Sequence, residues 1–238
     1  MQYAPDAAFV DISHRVAPYD LQQEAYLLLS AYKHFPQGSV HLLLVDVFGG
    51  EVPRMLLAEK EGYFFIAPDN GLLPLAFGKE LENTRLCLEC NKPYLFSKWI
   101  NIAGEIIQAL RQNPGKLALK QYEIKEMRRL LQPQIVPFGI DSNVLYIDRY
   151  ENVVLNITKS QFEEIVKDKP FKIKIMRMQD ISTISNNYYD VPDGAPLCRF
   201  NDAGFLEIAL NHAPAASLLG LSHGNGGNVR YQTVRIFY

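Results

Sequence analysis

Cysteine is scarce in this chain, at three residues in 238, too few for the disulfide framework of a small secreted domain. Cys87 and Cys90 form a CxxC, but neither Cys198 nor the five scattered histidines adds the second spaced pair that zinc needs. Nor do the flanks place that pair at a helix start, as a thioredoxin-like site requires. No metal site is predicted. No apolar run approaches the roughly 20 residues of a membrane-spanning helix. The balance of 24 basic and 26 acidic residues, net −2, leaves no field to hold nucleic acid or an anionic membrane. The opening MQYAPDAAF has neither the basic leader nor the apolar core of a secretory signal, which predicts a cytoplasmic protein.

What is present is ordinary globular composition, 48% hydrophobic and 21% charged, arranged unevenly along the chain. In the first half, strand and helix signals alternate. Phe9–Ser13 reads as a strand. Asp20 caps a helix whose apolar positions Leu21, Ala25, Leu28, Leu29 and Tyr32 share one face and which stops before Pro36 and Gly38. Strands are predicted at His41–Asp46, Met55–Glu59 and Tyr63–Ala67, then a helix with the stripe Trp99, Ile102, Ala103, Ile106, Ile107 and Leu110. The uninterrupted apolar runs suit strands covered on both faces, so the fold class expected here is an α/β domain with a mostly parallel sheet and flanking helices.

From Phe138 onward short strands dominate: Val144–Ile147, Val153–Ile157, Lys172–Met178 and Val229–Phe237. Two short helices interrupt them, one with Ser160 and Glu163 in capping-box spacing, the other Ala215–Leu219. This half reads as an all-β small barrel. The predicted domains are 1–132 and 133–238, separated by a connector whose cluster Lys120, Lys125, Arg128 and Arg129 reads as a solvated face.

Two strands end in a carboxylate followed by a glycine-bearing turn: Asp46-Val47-Phe48-Gly49-Gly50 and Asp69-Asn70-Gly71. Ligands of open α/β sheets bind beyond the carboxyl ends of strands, which makes both a site candidate. Asp, Asn and Gly are equally what tight turns require, and spacing alone leaves both readings open.

Five segments in order carry a resemblance: Val10-Asp11-Ile12-Ser13-His14, Val45-Asp46 through Arg54, Ala67-Pro68-Asp69-Asn70-Gly71, Tyr146 to Asn152, and Gly204 to Asn211. They resemble the S-adenosylmethionine hydroxide adenosyltransferases, the family that also holds the fluorinases and chlorinases. The resemblance implies an α/β domain joined to a β-barrel and a homotrimer. It implies that a nucleophile attacks C5′ of S-adenosylmethionine, taken as substrate with no cofactor. Asp46 and Arg54 would then hold and polarise the attacking water. Asp46 also disfavours a halide, whose charge it would repel. Asp11, Asp69 and Asn70 fall among the substrate-binding positions, with Tyr150 packing on adenine, Asn152 bonding the nucleoside, and Asp202 and Ala203 in the turn whose backbone meets adenine. Glu207 reads as a structural carboxylate.

The chain also departs from that pattern. Its Asp46–Arg54 loop is one residue longer and carries Phe48 and Glu51. The family histidine is absent, and Ser97, a hydrogen-bonding group but no base near neutral pH, stands in the matching stretch. Glu151 replaces a turn glycine. A first strand ending in an Asp-Phe-Gly-like turn has no match ahead of Met1. Two functions follow: hydrolysis of S-adenosylmethionine to adenosine and L-methionine, or a nucleoside-binding or scaffold protein that has lost catalysis.

Overall fold

Asp20 starts the first helix as its sequence predicts: its carboxylate accepts from the Gln23 amide at 3.0 Å, opening α1 (Leu21–Ala31). Ala25 and Leu28 are buried beneath it, with Tyr32 in the 3₁₀ turn that follows. The computed structural model describes residues 4–78, 80–113, 117–124, 132–174, 180–221 and 232–238. The chain divides into two units, Met1–Arg128 and Arg129–Tyr238.

In the first unit β1 (Val40–Leu42), β2 (Arg54–Lys60), β3 (Tyr63–Pro68), β4 (Glu82–Glu89) and β5 (Lys120–Gln121) form one sheet in the order β1-β3-β2-β4-β5. Only β1 and β3 run parallel, and the other pairings are antiparallel. The expectation of a mostly parallel sheet is therefore corrected to a mixed one. The misreading has a physical cause. Leu56, Ala58, Phe65 and Ala67 pack on one face with α1 and α2 (Leu72–Phe77), while Met55, Leu57 and Ile66 pack on the other with Trp99, Ala103, Ile106 and Leu110 of α3 (Phe96–Gln112). Strands sandwiched between helices lose their polar alternation whatever their direction. β2 turns into β3 through Glu61 and Gly62, both left-handed (φ 52° and 80°), the primed turn whose twist suits a tight hairpin.

Two other expectations change. Residues 4–20 contain neither helix nor strand, so Phe9–Ser13 is not a strand, and Phe9 and Val10 are exposed. β4 was not anticipated, since its residues alternate weakly and are only part-buried.

The second unit is antiparallel throughout its named strands. β6 (Gln134–Val136), β7 (Gly139–Ile147), β8 (Val153–Thr158), β9 (Lys172–Ile173), β10 (Pro196–Phe200), β11 (Phe205–Leu210) and β12 (Thr233–Phe237) follow the order β10-β11-β8-β7-β12-β9, with β6 also on β7. β7 pairs with β12 through residues 139–143 and with β8 through 144–147. Among the described residues this change of partner curls the sheet into a half-barrel, where a small barrel was expected. Ile140, Leu155, Ile157, Ile173, Leu206, Ile208 and Ile236 fill its core. α4 (Lys159–Val166) is capped by Thr158 with Gln161 in a reciprocal capping box, two residues ahead of the predicted Ser160, and α5 spans Ala215–Leu219. The basic piece 125–131, most of Lys172–Met178 and the start of Val229–Phe237 lie outside the described residues.

Candidate functional site

Because β1 and β3 are adjacent and parallel, their carboxyl ends open on the same side, and the chain beyond them supplies Asp46 and Asp69. β2 is antiparallel to both β3 and β4, so its first residue, Arg54, meets Asp69 after β3 and Glu89 at the end of β4. The Arg54 carbonyl accepts from the Asp69 amide at 2.9 Å. The guanidinium donates through Nε to Glu89 at 3.1 Å and lies 4.0 Å from the Asp69 carboxylate. That carboxylate also accepts from the Tyr122 hydroxyl at 2.5 Å. The bond raises the phenol's pKa, with burial adding to it, and Glu89 first of all strengthens the charge on Arg54.

Asn70 joins two pieces of this end. Its Nδ2 donates to the Val45 carbonyl at 2.8 Å, and its Oδ1 accepts from the Leu72 amide at 3.1 Å. One side chain thus fastens the Asp46 loop and starts α2, with Gly71 (φ 93°) supplying the reversal between them. Asp46 is left-handed (φ 49°), an unusual state for a residue with a Cβ. Its carboxyl group curls over Gly49, whose amide donates to the Asp46 carbonyl at 3.1 Å. Bulky Phe48 finds a place in this loop: its ring stacks on Tyr94, with centroids 5.5 Å apart. Val47 is buried in the same cluster as Trp99.

The predicted residues are therefore gathered unequally. Asp46, Arg54, Asp69 and Asn70 share one end of the sheet. Arg54, however, is turned to Glu89 and Asp69, and among the described residues no hydrogen bond joins it to Asp46. Ser97 is exposed in the first turn of α3. Asp11 is exposed on the segment before α1 and pairs with His14 at 3.2 Å.

In the second unit Asp148 organises the turn ahead of β8. It accepts from the Tyr150 and Asn152 amides at 2.8 and 2.9 Å and from Asn152 Nδ2 at 3.0 Å. Tyr150, 81% exposed, offers its ring face, whereas Asn152 is buried. Glu151 adopts a left-handed φ of 63°, and its carboxylate accepts from the Ser217 amide at 2.8 Å. Asn201 Oδ1 accepts from the Ala203 and Phe205 amides, both at 3.1 Å, shaping the turn that carries exposed Asp202. Since Val153 pairs with Ile208 and Thr158 with Phe205, the 148–152 and 201–204 turns lie at opposite ends of the β8–β11 ladder. Between them, buried Glu207 accepts from the Tyr188 hydroxyl at 2.7 Å, and the Arg199 guanidinium lies 5.0 Å over the Tyr188 ring. Burial raises the Glu207 pKa, and the Asp148 charge adds to the rise.

Sequence reasoning missed Glu24, Glu89 and Tyr122. Of these, Glu24 left a signal, an acidic residue set into the apolar face between Leu21 and Leu28. It is buried, and desolvation pushes its carboxyl up to about 7 against the opposing amides of Val45 and Leu44. The CxxC thiols are free, and burial pushes Cys87 up to about 12. Among the described residues no helix is long and apolar enough to cross a membrane.

Residues 1–98 match the N-terminal domain, and residues 142–226 the C-terminal domain, of the S-adenosylmethionine (SAM) hydroxide adenosyltransferases. The (R)-S-adenosyl-L-methionine hydrolase of Thermus thermophilus is 27% identical over 93% of this chain and 87% of its own. The hydrolase of that name from Methanocaldococcus jannaschii is 28% identical over 93% and 82%. An uncharacterized conserved protein from Thermotoga maritima has the same fold, with a TM-score of 0.79 at 23% identity across 100% of this chain and 91% of that one.

Proposed function

The chain belongs to the SAM hydroxide adenosyltransferase family, and on that premise we propose that it hydrolyses S-adenosylmethionine to adenosine and L-methionine. Water attacks C5′ of the ribose, the C5′–S bond breaks, and its electron pair returns to sulfur as neutral methionine departs. The attacking water gives up a proton and becomes the 5′-hydroxyl of adenosine. Because the sulfonium is already a good leaving group, the protein's task is to align the water and strip it of bulk solvent. Asp46 is the group assigned to take the water's hydrogen bond and proton. Arg54 supplies positive charge at the same strand ends, Asp69 and Asn70 hold the substrate side, and Tyr150 and Asn152 receive the nucleoside; the Asp202–Ala203 turn, at the other end of the β8–β11 ladder, does not reach the same nucleoside within one chain. Assembly as a homotrimer, residence in the cytoplasm and independence of any cofactor belong to the same proposal.

The observation that supports the reading is the left-handed Asp46 beyond β1, at the same end of the sheet as Asp69 after β3 and Arg54 at the start of β2. A second reading, nucleoside binding without turnover, draws on Arg54 being engaged by Glu89 and on Ser97 standing exposed. Incubation with S-adenosylmethionine in ¹⁸O-water separates the two. Equal amounts of adenosine and methionine, with label in the 5′-hydroxyl, are expected from the native protein and not from folded Asp46→Ala. Binding of adenosine with no product formed would establish the second reading. Undiminished turnover by Asp46→Ala would remove that residue from the reaction.

A further inference from the structure

Asp69 is held from two directions that lie far apart in the sequence. Its amide donates to the Arg54 carbonyl at 2.9 Å, and its Oδ2 lies 4.0 Å from Arg54 Nη1. The same Oδ2 accepts from the Tyr122 hydroxyl at 2.5 Å, the short end of the range for a charge-assisted bond. Tyr122 comes from the far edge of the sheet, since β5 stands three places from β3 in the strand order. Its backbone is fixed there, the amide donating to the Thr84 carbonyl of β4 at 2.9 Å. Its ring packs against the cluster that holds Leu56, Phe65 and Ala67. Phenylalanine would serve that packing equally well, so the hydroxyl has its use at Asp69.

Arg54 has two anchors of unequal quality. Its Nε donates to Glu89 at 3.1 Å, but the Glu89 side chain is 51% exposed, whereas that of Asp69 is 19% exposed. An ion pair as open as the first holds a long side chain weakly. The shielded carboxylate is the better anchor, yet it faces the guanidinium from beyond hydrogen-bond length. Something else must keep it turned that way, and the phenol does so.

We propose that Tyr122 is a positioning residue for Arg54: its hydroxyl fixes the Asp69 carboxylate, which in turn holds the guanidinium where the attacking water is polarised. Tyr122 touches neither that water nor the reacting carbon and acts through Asp69. The kinetic part of this inference rests on the hydrolase reading above, while the chain from Tyr122 through Asp69 to Arg54 does not.

Tyr122→Phe tests it, because it removes the hydroxyl and leaves the ring in its cluster. With S-adenosylmethionine as substrate, kcat should fall about tenfold, within the loss that a misplaced group produces, while KM stays within about threefold. Added to Arg54→Lys, the same change should lower kcat by less than about twofold, because the residue it acts on has already been altered; a double-mutant cycle reads this coupling. Independently of turnover, the Arg54 Nε–H resonance, identified as the signal that Arg54→Lys lacks, should shift and broaden in Tyr122→Phe. If the native protein makes no adenosine, the hydrolase reading fails and this resonance alone decides the positioning role. An Arg54 signal identical in the two proteins, a Tyr122→Phe variant with native kcat, or a loss that persists in full beside Arg54→Lys would overturn the proposal.

Discussion

Replacing Glu24 by Gln should make the first unit more stable above neutral pH, and the structure sets both sign and size. Burial moves the Glu24 carboxyl from 4.5 to about 7. Between those values the folded chain holds a proton that the unfolded chain has released, so stability falls as pH rises across that window and is level on either side. At about 1.4 kcal/mol per tenfold change in ionisation constant, the full loss is about 3 kcal/mol. Gln does not titrate, so the advantage of the variant over the native chain should grow by about that amount between pH 4.5 and pH 8. His41, whose pKa burial lowers, works in the opposite direction but is present in both proteins and cancels in the difference. Trp99 makes the assay specific, being the one tryptophan in the sequence and fully buried in the first unit. Its fluorescence during urea unfolding reports this unit alone. A difference between the two proteins that stays constant across the window would refute the reasoning.

Two further substitutions probe the Asp46 loop. In Gly49→Ala the new Cβ would lie 2.7 Å from the Asp46 carboxyl carbon. The carboxylate must swing away, so kcat should drop at least tenfold while the melting temperature changes by only a degree or two, since a flexible side-chain end yields cheaply. Native kcat would show that the carboxylate works elsewhere than over Gly49. Asn70→Ala removes partners from both the Val45 carbonyl and the Leu72 amide, and by unfolding measurements should cost about 1–3 kcal/mol. Asn70→Asp keeps only the Leu72 bond and should fall between the two. If it matches Asn70→Ala, the Val45 tie carries the whole effect.

Helix α1 with its Asp20 cap, the stripe of α3 and α5 could all be read in advance, because each depends on residues close in sequence. Strand direction could not. Leu56 and Met55 are apolar for different reasons, one facing α1 and α2, the other α3, and that information sits in distant helices. Asp69 was legible as a strand-end carboxylate; Asp46 was read the same way, but β1 ends at Leu42 and leaves it four residues on, in a turn. The partners were not: Glu89 and Tyr122 reach Arg54 and Asp69 only through strand register and a contact 53 residues long. Glu24 was visible as a charge on an apolar face, but its burial could not be placed, since it depends on how α1 packs. Phe48, which looked like a misfit in the loop, is explained by Tyr94.

The half-barrel has a consequence for how the chain is made. β7 is its central strand, and its first half pairs with β12: Asn143 meets Thr233 across a separation of 90 residues. That ladder cannot close until β12 has left the ribosome. The first unit needs no such wait, because Val40 pairs with Phe64 and Arg85 with Gln121. During synthesis the carboxylate end of the sheet can therefore assemble early, while β7 and β8 emerge as an unfinished hairpin with the apolar side chains of Ile140, Val144 and Leu155 uncovered. Non-local strand pairing is slow and prone to association while it waits. A ribosome stalled after β8 should carry a folded first unit and a protease-sensitive second one.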